Sequence, residues 1–166
     1  SDNAPRPMSI AYMPRKRSVE AMFMPGLFRS LYPQWASVSW VPIERMTRAQ
    51  CASVMQSASV FASFSHLEGL GLPPLEAAAC GCVVAGFTGG GGQDYATPTN
   101  GFWVSVGDHE GFAHALDAAL RCAASVPWRQ DVRAAFEPAL SRHTPEAFRS
   151  ALGQAWRQLW GEPVVE

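Results

Sequence analysis

Short apolar runs alternate with helix-like stretches over the first part of the chain. Five such runs, typical of strands that are buried on both faces, cover residues 9–13, 37–42, 60–63, 82–87 and 102–106. The segments between them carry apolar residues three or four positions apart, as in helices that pack on a sheet. The pattern predicts an α/β fold, with a Rossmann-like parallel sheet flanked by helices.

Helix boundary signals support this alternation. Thr47 and Gln50 have the spacing of a capping box, for a helix that ends near Gln56. A second helix is predicted over residues 18–31, where Ser18 is the cap and Pro25-Gly26 kinks or interrupts the helix. A third begins at Pro73-Pro74 and ends at Gly81. A fourth is capped by Asp108 and runs through Leu120.

After Pro127 the pattern changes to helices only. Two apolar stripes are visible, namely Val132, Phe136 and Leu140, and then Phe148, Leu152, Trp156 and Leu159. The second stripe either faces the core, which the spacing favours, or docks on a domain outside the chain. We divide the chain into residues 1–7, a cloning remnant and linker; 8–126, the Rossmann-like domain; and 127–166, helices that pack on it or on a missing amino-terminal domain.

Composition excludes several classes of protein. The 166 residues are 48% hydrophobic and 16% charged, with a formal net charge of −1. A low charge with ordinary apolar content argues against a disordered chain. The near-neutral balance argues against a nucleic-acid partner, because surfaces that bind phosphate backbones usually show a basic excess. Twelve of the 13 basic residues are arginine, and Lys16 is the only lysine.

Cysteine usage and the lack of long apolar runs bear on the compartment. Cys51, Cys80, Cys82 and Cys122 are predicted to be reduced core thiols, because the one close pair is too tightly spaced for a zinc site. No apolar run reaches the ~18 residues of a membrane span, and the first residues lack a secretion signal. We expect a cytoplasmic protein without a bound metal.

The most informative segment is residues 65–81, SHLEGLGLPPLEAAACG, between a predicted strand and a helix. Open α/β folds bind ligands at the carboxyl ends of their strands, where this segment begins. Glu68 is expected to project from the loop, and Glu76 to lie in the first turn of the helix. The Glu76 carboxylate could accept hydrogen bonds from the diol of a ribose or hexose, or simply stabilise the helix dipole. Gly69 and Gly71 allow the backbone to approach a ligand.

A second candidate site, Arg15-Lys16-Arg17, follows the first predicted strand. Cations at a strand end and a helix start can bind phosphate oxygens, although a run of charges taken alone is more often a solvated surface. Both segments fall at the same edge of the predicted sheet, which favours a shared binding site.

The glycine run Gly89–Gly92 follows the fourth predicted strand. It lacks the spacing of a dinucleotide or Walker phosphate loop, so a backbone close to a ligand and an ordinary wide turn are both open. His66 could contact a ligand, but a half-buried structural histidine is the favoured interpretation. Glu68 and Glu76 could also suggest a glycoside hydrolase, but such pairs usually come from separate elements that flank a cleft.

The string from Glu68 to Glu76, EGLGLPPLE, followed by AAACGCVV and the glycine run, resembles one protein family. It is similar to the nucleotide-sugar-binding, carboxyl-terminal half of retaining glycosyltransferases with the two-domain GT-B architecture, the glycosyl transferases group 1. The segment YMPRKR at residues 12–17 resembles the basic stretch that members of this family use on the donor diphosphate.

The resemblance implies a role for several residues. Glu76 would hold the donor ribose, Glu68 would lie beside the transferred sugar, and Arg15 and Lys16 would neutralise the diphosphate. The further donor-binding residues that it implies are Gly69, Leu70, Gly71, Gly89, Gly90 and Gly91. The chain departs from the family where many relatives have a glutamate after the glycine run and Gln93-Asp94 stands here.

We therefore expect the donor-binding half of a glycosyltransferase that transfers a sugar to a glycan or other acceptor in polysaccharide biosynthesis, without a cofactor and inactive as this fragment. The implied partners are a nucleotide-sugar donor, the amino-terminal acceptor-binding domain of the same protein and, for a full-length enzyme, a membrane surface bound peripherally. The alternative is a non-catalytic nucleotide-sugar-binding or scaffold module. An epimerase of this fold would need acid and base residues that the sequence does not show.

Overall fold

The computed structural model describes residues 6–15 and 17–160, apart from the side chain of Trp160, so Lys16 lies outside the described residues. The strands are β1 Ser9–Tyr12, β2 Ser39–Pro42, β3 Val60–Glu68, β4 Val83–Gly90 and β5 Phe102–Val104. The α-helices are α1 Ser18–Leu31, α2 Arg48–Ser57, α3 Leu72–Ala79, α4 His109–Ala124, α5 Val126–Arg142 and α6 Pro145–Trp160. Short 3-10 helices cover Pro33–Trp35 and Gly91–Asp94.

The strands form one parallel sheet in the order β2-β1-β3-β4-β5. Helix α1 packs against α4, and α2 packs against α3. Because parallel crossovers are right-handed, the reversal of strand order between β2 and β3 places these two helix pairs on opposite faces of the sheet. The predicted Rossmann-like α/β fold is confirmed.

The sheet extends further at its carboxyl edge than the sequence pattern predicts. Strands β3 and β4 reach Glu68 and Gly90, and were expected to end at residues 63 and 87. Ser65 pairs with Thr88 and Glu68 with Gly90, and the register shifts between Ser65 and Glu68. Glu68 is therefore the last residue of a strand, and its predicted position in a loop is wrong.

The core of the sheet domain lies beneath α1 and α4. The side chains of Met24 and Phe28 from α1, and of Phe112, Leu116 and Leu120 from α4, are fully buried. Burying side chains of this size contributes about 1.5–3 kcal/mol each, which makes the α4 face a major source of stability. The predicted helix stripe of α4 is confirmed.

Three helix starts agree with the sequence signals. Thr47 and Gln50 form both hydrogen bonds of the capping box at α2. The Asp108 carboxylate accepts a 2.8 Å hydrogen bond from the Gly111 backbone N–H at α4. Helix α3 has prolines in its first turn and ends before Gly81.

The prediction for α1 is wrong in two respects. Arg17, not Ser18, is the residue before the helix, and it makes no side-chain capping bond. The helix also continues through Pro25 without the interruption that was expected, while a kink there stays a prediction. A proline removes one backbone hydrogen bond, but the buried contacts of Ala21, Met24 and Phe28 hold both halves of α1 on the sheet.

Residue contacts divide the chain into two compact units, Ser1–Phe136 and Glu137–Glu166. In the first unit, Val132 and Phe136 of α5 are buried. In the second unit, the apolar side chains of Phe148, Leu152, Trp156 and Leu159 are 68%, 55%, 57% and 71% exposed. Both interpretations of that stripe, packing on the sheet domain or docking on another domain, stay predictions.

Candidate functional site

A cavity of about 730 Å³ opens at the carboxyl edge of the sheet. Its lining comes from three successive connections: Met13 and Arg15 after β1; Ile43, Glu44, Arg45 and Met46 after β2; and Glu68, Leu70, Gly71, Leu72, Pro73 and Glu76 at the end of β3 and in α3. The volume falls within the roughly 300–1,000 Å³ of small-molecule sites.

The topology explains the position of this cavity. After β1 the chain turns to β2 on one side of the sheet, and after β2 it crosses to β3 on the other side of β1. The connections that leave β1 and β3 therefore diverge to opposite faces and open a crevice between them, which is where open α/β sheets bind ligands. Arg15 follows β1 and Glu68 ends β3, so both lie at this switch point.

The turn between β3 and α3 has an unusual backbone. Leu67 has a φ of +43° and is 84% exposed, next to the irregular pairing at the end of β3. Gly71, with a φ of +73°, directly precedes α3. A left-handed conformation suits glycine, and here it turns the chain from Glu68 into the helix that carries Glu76.

Glu76 is the fifth residue of α3, which begins at Leu72, and not part of its first turn as predicted. Stabilisation by the helix dipole falls off beyond that turn, so the structure disfavours the purely helix-stabilising interpretation of Glu76. The side chain is exposed and lines the cavity together with Arg15 and Glu68. With Glu44 and Arg45 from the connection after β2, three carboxylates and two guanidiniums thus line one space.

The glycine run lies against the turn between β3 and α3. Gly89 and Gly90 end β4, and Gly91 begins the 3-10 helix. A Cβ atom at Gly91 would lie 2.1 Å from the carbonyl oxygen of Gly69 and 2.6 Å from that of Glu68. Among the described residues, the cavity lining includes Leu70 and Gly71 but not Gly69 or Gly89–Gly91. The run supports the wall of the cavity by close backbone packing.

The cationic segment separates into side chains with different surroundings. The Arg17 backbone N–H donates a 3.2 Å hydrogen bond to the Pro14 carbonyl, which closes the turn that carries Arg15. Arg15 is exposed and lines the cavity. The Arg17 side chain is only 12% exposed and forms an ion pair with Glu20. Arg17 is therefore not the third free phosphate cation that the sequence suggested.

His66 is exposed, so the prediction of a half-buried structural histidine is wrong. Its Nδ1 atom lies 2.8 Å from Nη2 of Arg17. The guanidinium carbon of Arg17 also lies 5.3 Å from the ring centroid of Phe87 on β4. These contacts join the turn after β1 to the ends of β3 and β4.

Sequence reasoning missed the part of the cavity that follows β2. Ile43, Glu44, Arg45 and Met46 line it, together with Cys51 of α2. Arg45 has a φ of +51°, an uncommon conformation for a residue with a side chain. The signal was available, because a segment that directly follows a predicted parallel strand lies at the same edge as the other two connections.

The cysteines agree only in part with the prediction of core thiols. Cys82 and Cys122 are buried, and burial raises the pKa of their thiols to about 12 and about 11. Cys51 and Cys80 are half-buried.

Among the described residues, no group of three or more histidine, cysteine, aspartate or glutamate side chains could hold a metal ion. Within the same residues, no helix is long and apolar enough to cross a membrane.

Comparison with known proteins agrees with this geometry. Residues 41–135 match the family model of the glycosyl transferases group 1. An alpha-1,6-glucosyltransferase of Actinobacillus pleuropneumoniae is 38% identical over 116 residues, covering 68% of this chain and 35% of that protein. The chain thus spans about a third of the length of this curated relative.

Two solved structures share the fold. The carboxyl-terminal domain of a glycosyl transferase group 1 family protein from Francisella tularensis has a TM-score of 0.63 and 15% identity, covering 85% of this chain and 88% of that one. A mutant of S. aureus TarM in complex with fondaparinux, alpha-GlcNAc-glycerol and UDP has a TM-score of 0.71 and 14% identity. The match covers 96% of this chain and 37% of that one. With the family match over more than half of its residues, the chain belongs to the glycosyl transferases group 1, and it shares the fold of the carboxyl-terminal domain from F. tularensis.

Proposed function

We propose that the chain binds the nucleotide-sugar donor of a retaining glycosyltransferase. The observation that carries this proposal is the meeting of Arg15, Glu68 and Glu76 around one cavity at the switch point of the sheet. A cation and two hydrogen-bond acceptors in one crevice match the chemistry of a nucleoside diphosphate joined to a sugar, which has both anionic oxygens and vicinal hydroxyl groups.

Each side chain has a role that follows from its chemistry. Arg15, and Lys16 beside it in the sequence, would bind the diphosphate, because guanidinium and ammonium groups donate charged hydrogen bonds to phosphate oxygens. The Glu76 carboxylate would accept hydrogen bonds from the ribose diol, and Glu68 would lie beside the transferred sugar. Leu70 and Gly71, which also line the cavity, would contact the donor through the backbone.

The proposed chemistry depends on charge. When the bond between the anomeric carbon and the phosphate oxygen breaks, negative charge develops on the leaving diphosphate and positive charge on the sugar ring. Preorganised cations such as Arg15 would stabilise the negative charge on the diphosphate, and a carboxylate such as Glu68 would stabilise the positive charge on the sugar. The A. pleuropneumoniae relative is named as an enzyme that forms an alpha linkage. Transfer from an alpha-linked donor to such a product retains the anomeric configuration.

The complete transfer would need an acceptor site beyond this chain. The similar glucosyltransferase is about three times as long as the matched region, and we propose that an acceptor-binding domain of the same protein faces the cavity. The chain alone would then bind the donor without transferring its sugar. The acceptor would be a glycan or another hydroxyl compound.

Calorimetric titration with UDP, GDP and ADP and with their glucose conjugates tests donor binding directly. We expect saturable 1:1 binding of one nucleotide series. In Arg15→Ala and in Glu76→Gln the affinity for that nucleotide should fall about tenfold or more, since a charged hydrogen bond contributes about 1.5–3 kcal/mol. Arg29→Ala and Glu110→Gln, on exposed parts of α1 and α4, are the matched controls and should bind as the parent does. Absence of binding to all three series would contradict the proposal.

A further inference from the structure

The Arg17 side chain joins three elements at the edge of the cavity without being part of its described lining. Its Nη1 group pairs with Glu20 of α1, and its Nη2 group lies 2.8 Å from Nδ1 of His66 on β3. The guanidinium carbon lies 5.3 Å from the ring centroid of Phe87 on β4. With 12% of its side chain exposed, Arg17 is held on several sides.

The backbone of Arg17 closes the turn that presents Arg15. Its N–H donates to the Pro14 carbonyl, and its carbonyl accepts a 2.9 Å hydrogen bond from Ala21 in the first turn of α1. The side chain and backbone of one residue thus connect the cationic turn to the strands that carry Glu68 and Gly90. Any displacement of Arg17 would move Arg15 relative to the far wall of the cavity.

We propose that Arg17 is a positioning residue for the diphosphate-binding turn, and that its contact with His66 makes donor binding depend on the protonation of that histidine. The inference rests on the proposed donor site. It assigns to Arg17 a role through Arg15 and not through contact with the donor.

The direction of the pH effect follows from the hydrogen-bond inventory. A guanidinium only donates, so Nδ1 of His66 must accept and must therefore carry no proton. When the imidazole becomes charged, Nδ1 turns into a donor and two cations face each other, so the contact breaks. The contact is therefore expected to weaken when the solution is acidified.

Other charged groups around the contact between Arg17 and His66 also affect how firmly Arg17 is held. Glu20 on α1 faces Arg17, and a hydrogen bond to its own backbone N–H, together with Arg17, lowers the pKa of its carboxyl group. It therefore stays ionised over the range in which histidine titrates and keeps Arg17 partly held. His109 on α4 interacts with Glu20, and Glu68 lies two residues after His66 on β3. The expected effect of pH is accordingly a weakening of donor binding and not its loss.

The test compares nucleotide affinity at about pH 7.5 and about pH 5.5 in the chain and in three variants. UDP, GDP and ADP are titrated first, and the tightest ligand is used throughout. His66→Asn keeps an acceptor oxygen near the position of Nδ1 but cannot gain a proton. Arg17→Lys keeps the charge but loses the two-pronged donor. His114→Asn removes another exposed histidine, from α4, and is the matched control.

Acidification should lower the nucleotide affinity of the parent chain and of His114→Asn. This fall should be about threefold to tenfold larger than the fall in His66→Asn, as for the loss of one hydrogen bond. Arg17→Lys should bind about threefold to tenfold more weakly at the higher pH. It should also lose the extra pH dependence. Equal pH dependence in the parent and His66→Asn, or unchanged binding and pH dependence in Arg17→Lys, would overturn the inference.

A measurement without nucleotide separates this inference from the proposed function. The backbone amide resonances of residues 15–17 are followed by NMR between about pH 7.5 and about pH 5.5. We expect them to shift with pH in the parent and much less in His66→Asn. If none of the nucleotides binds but these resonances shift as expected, the donor site is wrong while the coupling of Arg17 to His66 holds. If a nucleotide binds and the resonances do not shift, only the coupling is wrong.

Discussion

The hydroxyl group of Tyr95 donates a 2.6 Å hydrogen bond to the backbone carbonyl of Gly71. Tyr95 is 2% exposed, and burial, with a smaller effect of Glu68, raises the pKa of its hydroxyl group, which therefore stays protonated as a donor. The Nδ2 group of Asn100 in turn donates to the Tyr95 carbonyl over 2.7 Å. This chain of bonds ties the segment after β4 to the residue that directly precedes α3, and so fixes one wall of the cavity.

Tyr95→Phe should destabilise the fold by about 1–3 kcal/mol, because the substitution leaves the Gly71 carbonyl without its hydrogen-bond donor. Equilibrium urea unfolding measures this change. Tyr32→Phe removes a hydroxyl that contacts the exposed side of His114 and should cost under about 0.5 kcal/mol. Equal losses in the two variants would show that the Gly71 contact contributes no more than a surface one.

Gly91→Ala should disturb the cavity while Gly69→Ala should not. A Cβ atom at Gly91 would lie 2.1 Å from the Gly69 carbonyl oxygen, whereas one at Gly69 would meet nothing within 4 Å. We expect Gly91→Ala to lower the melting temperature by several degrees, as for a loss of about 1–3 kcal/mol from overpacking. Thermal unfolding of both variants, with nucleotide titration, tests this, and comparable behaviour of the two would contradict the close packing.

Cys51 should be the thiol that a bound nucleotide protects from alkylation. It lines the cavity, whereas Cys82 and Cys122 are buried with pKa values raised to about 12 and about 11 and should react slowly. Iodoacetamide labelling followed by peptide mass spectrometry measures each rate. Half-buried Cys80, at the carboxyl end of α3, is the control, since nucleotide should leave its rate unchanged. Protection of Cys80 alone would place the ligand elsewhere.

Asp117 should stabilise the fold at neutral pH and lose this effect in acid. Its carboxylate accepts hydrogen bonds of 2.7 Å from Trp35 and 2.9 Å from Arg121. Burial raises its pKa, but the bonds from Arg121 and Trp35 outweigh this, so the pKa lies below the ordinary value. The stabilisation is therefore complete above the unfolded-state pKa of about 3.9 and disappears as pH falls through the lower folded-state value.

The variant that tests this is Asp117→Asn, compared with Asp131→Asn on the exposed face of α5. We expect the first to lower the free energy of unfolding by about 0.5–2 kcal/mol near neutral pH, and the difference from the parent to shrink toward about pH 3. Asp131→Asn should change little at any pH. Melting temperatures across this range provide the measurement, and a difference for Asp117→Asn that grows in acid would contradict the assigned direction.

Local signals in the sequence predicted much of the fold because they depend on neighbours along the chain. The capping box at Thr47 and the periodic stripe of Phe112, Leu116 and Leu120 need only local geometry and a buried face, and both are confirmed. The extension of β3 to Glu68 could not be predicted in this way, since it depends on pairing with Gly90 of another strand. The same holds for Pro25 within α1, which tertiary packing tolerates.

For the candidate site, the alternation of strands and helices placed Arg15, Glu68 and Glu76 at one edge of the sheet, because parallel strands end on the same side. That Arg15 lines the cavity while Arg17 turns to Glu20 and His66 was decided only by the tertiary structure. Adjacent cations in a sequence look equivalent, but their surroundings come from residues 3 and 49 positions away along the chain. The sequence by itself determined which chemical groups are present at the edge of the sheet, and packing decided which of them face the ligand space and which hold the others in place.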